Sequence, residues 1–98
     1  MIESFEKHVQ DLKDFEKYLQ ALKTVLENVS LKEKNEKFLE VLNLARAYCK
    51  DAEFFKNKNE LLKALELEAY AWGLLDALAI LKVLNVPKEL QKWFKTEF

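Results

Sequence analysis

Ile2, Phe5, Val9, Leu12, Phe15, Leu19, Leu22, Leu26 and Val29 recur at steps of three or four, the spacing that gathers side chains on one face of a helix. The strip predicts a first helix from about residue 2 to 28. Ser30 followed by Glu33 fits a capping box, in which hydroxyl and carboxylate each satisfy a free backbone N–H. A second helix, about 31–58, is therefore expected to start near Leu31. Its apolar or small positions are Leu31, Phe38, Leu42, Ala45, Cys49 and Ala52, with Asn35 completing a regular spacing. A second strip, Val41, Leu44, Tyr48 and Phe55, lies beside the first and predicts contact with two neighbours. The polar run Lys56 to Glu60 interrupts the pattern, with Asn59 as the expected left-handed residue and Glu60 as a weak cap. From Leu61 to Leu84 apolar residues occur nearly all round, which predicts a central helix, about 60–85, buried on more than one side. Asn85-Val86-Pro87 should stop it, with a short fourth helix at about 87–97.

Short connections between long helices imply antiparallel neighbours. The fold expected is all-α: one domain over residues 1–98, an antiparallel up-down-up three-helix bundle with a short C-terminal fourth helix. Glycine and proline occur once each, at Gly73 and Pro87, too few turn residues for a sheet protein. Half of the 98 residues are hydrophobic, enough for a core without disulfides or a structural metal.

The net charge of −1 removes the electrostatic argument for a dedicated nucleic-acid or anionic-membrane binder. One cysteine, Cys49, and one histidine, His8, do not make a zinc site, which normally takes four ligands. No disulfide can form within the chain, no cofactor is implied, and a reducing, cytoplasmic setting is expected. Neither a signal peptide nor a membrane span is read from the chain, because charges interrupt both the first twenty residues and the apolar stretch Ala69 to Leu81.

Three features stand apart from a plain bundle. Gly73 lies inside a helix, at a cost of about 1 kcal/mol relative to alanine. With Ala69 and Ala77 it forms a small-residue strip that the hairpin would set opposite Ala45, which predicts close helix packing. The second feature is a set of polar groups in apolar helices: Tyr48, Asp51, Glu68, Tyr70 and Asp76, with Arg46 within reach of Asp76. An Arg46–Asp76 bridge would explain the chain's lone arginine. The alternative makes the cluster the wall of a polar pocket with a carboxylate as general base. The third is the tail, where Trp93, Phe94 and Phe98 accompany Lys88, Lys92 and Lys95. It can meet a partner or a surface, or fold back over the end of the bundle; the second is expected, because large aromatics left in water would form an unusual patch. No triad, phosphate loop or di-iron Glu-x-x-His motif is present, so no residue is assigned a catalytic role.

Tyr48-Cys49-Lys50-Asp51-Ala52-Glu53-Phe54-Phe55, followed by Tyr70-Ala71-Trp72-Gly73-Leu74-Leu75-Asp76-Ala77, resembles the archaeal domain of unknown function 357 family. The resemblance covers about residues 48 to 81. It departs at the turn, where Asn59-Glu60 stands for a frequent Gly-Asp, and at Leu78, where a glycine is frequent. It implies a helical bundle and carries no activity. The expected function is a non-enzymatic helical interaction or structural module, acting on a protein partner or by self-association. The alternative is a small-ligand binder or minor enzyme using the Tyr/Asp/Glu cluster.

Overall fold

A computed structural model describes residues 14–98. Three α-helices carry most of the described chain: α1 (Phe15–Asn28), α2 (Glu36–Asn57) and α3 (Leu61–Ile80). Two short strands, β1 (Ser30–Leu31) and β2 (Leu84–Asn85), and a 3₁₀ helix over Lys88–Trp93 complete it. Ile2, Phe5, His8, Val9 and Leu12, at the start of the expected first helix, lie outside the described residues.

α1 follows its sequence pattern. Phe15, Tyr18, Leu19, Leu22, Val25 and Leu26 are buried, and each fully enclosed Leu or Val contributes roughly 1.5–3 kcal/mol. The helix is tied to α2 by Lys23–Glu53 (2.6 Å) and by Lys56–Glu16.

α2 starts five residues later than the capping-box reading predicts. Ser30 is not its cap: Ser30 and Leu31 pair in antiparallel register with Asn85 and Leu84, and Lys32 N–H donates to the Val83 carbonyl at 2.8 Å. The cap is Asn35, in extended backbone, whose side-chain oxygen accepts from the N–H groups of Lys37 and Phe38 at 3.0 and 3.1 Å. Asn35, which the spacing alone assigns to the apolar seam, is the cap, and Ser30 is taken up by the ribbon with β2.

The two long helices α2 and α3 pack together and share a turn in which each residue has a defined job. Asn59 has φ 61°, Asn59 N–H donates to the Lys56 carbonyl, and Glu60 N–H donates to the Phe55 carbonyl. That bond pair is a Schellman motif, which satisfies carbonyls at a helix end. Glu60 then serves as the N-cap of α3 without a side-chain bond. Both expectations for Asn59 and Glu60 hold.

α3 ends at Ile80, earlier than the expected boundary at about 85. A second Schellman motif closes it: Lys82 takes φ 63°, its N–H donates to the Ala79 carbonyl, and Val83 N–H reaches the Leu78 carbonyl at 3.3 Å. Val83 and Leu78 are both buried, the apolar contact that accompanies this motif. Pro87 precedes the 3₁₀ helix Lys88–Trp93, which replaces the expected α-helix over 87–97.

The core joins α1 residues Leu22 and Val25, α2 residues Leu42, Ala45 and Ala52, and α3 residues Ala64, Leu65, Ala71, Leu75, Leu78 and Ala79. α3 is not hidden all round, however. Leu62, Tyr70, Ala77 and Ile80 are exposed along one side, followed by Leu81. Leu65 is enclosed, Leu74 half-buried and Leu81 exposed. Among the described residues no helix is long and apolar enough to cross a membrane.

Candidate functional site

The polar residues singled out by sequence do not form one site. Tyr48 and Tyr70 do meet, with ring centroids 5.8 Å apart and planes tilted by 52°. Both belong to an open groove of about 470 Å³ lined by Leu44, Tyr48, Ala69, Tyr70, Gly73, Leu74 and Ala77. The groove is a consequence of residue size: Ala69, Gly73 and Ala77 follow one another at four-residue steps and leave a trough between larger flanks.

Asp51 is exposed on α2, while Glu68 and Asp76 are buried. Glu68 is enclosed on the core side of α3. Asp76 lies under the tail, where its Oδ1 accepts the Lys95 N–H at 3.2 Å. Burial raises the Asp76 pKa from the ordinary carboxylate range; the Lys95 N–H bond and the Lys95 charge oppose that rise.

Arg46 does not bridge to Asp76. Its Nη1 donates to Asn43 Oδ1 at 3.0 Å in an exposed position, beside Lys23, Cys49, Lys50 and Glu53. The expected pairing followed from hairpin level alone. Asp76 turns into the interior and Arg46 stays on the outer side of α2, so level without angular position is not contact.

The small-residue strip also resolves into two parts. Ala45 is wholly buried. Gly73 and Ala69 are half-buried and Ala77 is exposed, so these three form the floor of the groove.

Of the tail residues, Trp93 and Phe94 are used inside the molecule. Trp93 stands edge-on to Tyr18 at 6.0 Å and stacks on Trp72 at 6.3 Å with an interplanar angle of 29°. Phe94 is buried against Trp72. Phe98 is about half exposed and meets Phe94 edge-on at 5.3 Å. Phe98 alone of these three presents a broad face outward. The Trp72 indole N–H has no hydrogen-bond partner among the described residues, so packing holds the ring.

Cys49 is buried and its thiol is pushed up to about 11, first by burial and then by the Glu53 charge. A thiol so placed is a poor nucleophile, because the thiolate is the reactive form. Lys23, hydrogen-bonded to Glu53, has its pKa raised by that bond. Among the described residues no three His, Cys, Asp or Glu side chains converge in a group able to hold a metal ion.

Leu44 and Leu74, the apolar flanks of the groove, were not singled out as site residues by sequence, nor were Ile80 and Leu81 beyond its end. Their signal was present as a surplus: α3 carries more apolar positions than one neighbouring helix can cover. A family described as protein of unknown function (DUF357) matches residues 17–84. No curated protein and no solved structure matches significantly.

Proposed function

Because the chain belongs to the DUF357 family, whose description assigns no activity, we propose its function from its own surface: a non-enzymatic helical interaction module. Its contact face is the α2/α3 groove and the exposed side of α3 that continues from it. One observation carries this reading. Leu44, Tyr70, Ile80 and Leu81 are 42%, 55%, 60% and 57% exposed around the half-buried Gly73 and Leu74, and contiguous apolar surface of this kind marks interaction sites.

The small-ligand or enzymatic alternative needs the tyrosines and the acids on one wall. Tyr48 and Tyr70 line the groove, whereas Glu68 and Asp76 face the interior; the geometry favours the interaction module. The same reading takes α1, α2 and α3 as an up-down-up bundle acting in the cytoplasm, where a lone buried thiol such as Cys49 needs no partner.

A photo-reactive amino acid installed at Ala77, on the groove floor, tests the reading in living cells. Irradiation is expected to yield a discrete protein adduct from position 77 and none from the exposed control position Lys50. Absence of any adduct from position 77, in protein that keeps its helical circular dichroism, would remove the reading.

A further inference from the structure

We infer that the groove's partner is a second copy of this chain, docked α3 against α3 in an antiparallel, two-fold arrangement that sets Tyr70 of each copy over Gly73 of the other. The inference rests on the interaction reading above and names its partner.

The exposed side of α3 runs Leu62, Glu66, Tyr70, Gly73, Ala77 and Ile80 at steps of three and four that keep them on one side, with exposed Leu81 following at the helix end. A two-fold interface is self-complementary: if residue i meets residue j, then j meets i. In an antiparallel helix pair, one such pairing fixes the others. Placing Tyr70 opposite the partner's Gly73 sets Ala69 opposite Leu74, Glu66 opposite Ala77 and Leu62 opposite Leu81. Large therefore meets small through the centre, where the helices lie closest, and leucine meets leucine at the two ends. Glu66, the one charge on that line, falls opposite a methyl group that leaves its carboxylate a path to water.

Gly73 supports the same register. A glycine inside a helix costs about 1 kcal/mol relative to alanine, and Gly73, half-buried, lines the floor of the groove. A second α3 crossing at Gly73 uses the space that a side chain would fill. The Tyr48 ring, tilted on Tyr70, supports Tyr70 from the α2 side in the orientation it presents.

Area is sufficient for a stable pair. The exposed parts of Leu44, Leu62, Tyr70, Ile80 and Leu81 amount to on the order of 500 Å², taking the lower part of the aromatic range, about 150–200 Å², for each side chain. Half-buried Tyr48 and Leu74 and the rim bring each copy close to the ~800 Å² that a partner contributes to a standard interface. A net charge of −1 per chain sets up little repulsion between two copies.

The experiment combines sedimentation velocity with a disulfide trap. The parent protein is expected to sediment as a dimer at about 100 µM. Gly73→Leu should weaken dimerisation at least tenfold while the monomer melts at or above the parent temperature, because leucine is the better helix former. In a Cys49→Ala background, Leu62→Cys/Leu81→Cys should be linked under mild oxidation between position 62 of one copy and position 81 of the other. A link within one chain is excluded by roughly 28 Å of helix. A parent that stays monomeric at 100 µM, a dimer indifferent to Gly73→Leu, or links joining 62 to 62 would each overturn the inference. A monomer whose position 77 captures a different protein would overturn the self-pairing and leave the interaction reading intact.

Discussion

Asp76 shows how one side chain links burial, protonation and stability. Its folded-state pKa is raised by burial, so the native protein holds the proton more tightly than the unfolded chain does. The favourable contribution is complete below the unfolded value, about 4, and is lost as pH rises through the folded value. Asp76→Asn keeps an oxygen for the Lys95 N–H and removes the charge. Its melting temperature is expected to equal or exceed the parent's at about pH 7, with the gap closing toward about pH 4; thermal melts across that range decide it. Cys49 makes the complementary case. With its thiol pushed up to about 11, modification by a thiol reagent near neutral pH should run at least ~100-fold slower in the native protein than in the unfolded chain, since the thiolate reacts. Rates with and without denaturant measure this. Equal rates would show that Cys49 is neither buried nor raised.

Helix boundaries depend on which of two competing caps is taken. Asn35 accepts two backbone N–H bonds at the start of α2, and removing such a cap costs about 1 kcal/mol, in a range of 0.5–2. Asn35→Ala should lose about that much in urea unfolding, and Ser30→Ala clearly less, because Ser30 Oγ accepts a single exposed bond from Asn85 at 3.3 Å. The reverse order would restore the capping box at Ser30. Sequence proposed Ser30 because Ser-x-x-Glu is a local signal. It could not show that Ser30 and Leu31 have distant partners in Asn85 and Leu84. The end of α3 was hidden for a related reason. The left-handed position is held by Lys82, whereas glycine or asparagine is the usual signal; Asn59 carries that signal and takes that conformation.

In the molecule as a whole, the tail closes the end that α1 and α3 leave open. Trp93 fits between Tyr18 and Trp72, Phe94 seals Trp72, and Lys82 Nζ donates to the Glu97 carbonyl at 2.8 Å. Phe94→Ala should therefore lose roughly 3 kcal/mol, as large-to-small changes at buried aromatics do. Phe98→Ala, at a half-exposed position, should lose less than about 1 kcal/mol. Chemical denaturation of the two variants tests this, and equal losses would show that the tail is not seated as described. Among the described residues, a seated tail leaves the exposed side of α3 as a broad apolar surface, and of the two faces an interaction module could use, a helix side or the aromatic tail, the first is the one open.

Spacing along the chain was enough to establish helices, the turn at Asn59 and the level at which Tyr48 meets Tyr70, because these depend on periodicity and on residues a few positions apart. The side of α3 left uncovered, the burial of Asp76, the exposure of Arg46 and the ribbon between Ser30–Leu31 and Leu84–Asn85 were decided by the tertiary structure. A helix apolar on nearly every side carries no direction in its own pattern. Its covered faces are chosen by segments far away in sequence, and the backbone pairing beyond its end, with Ser30–Leu31, also displaces the start of α2.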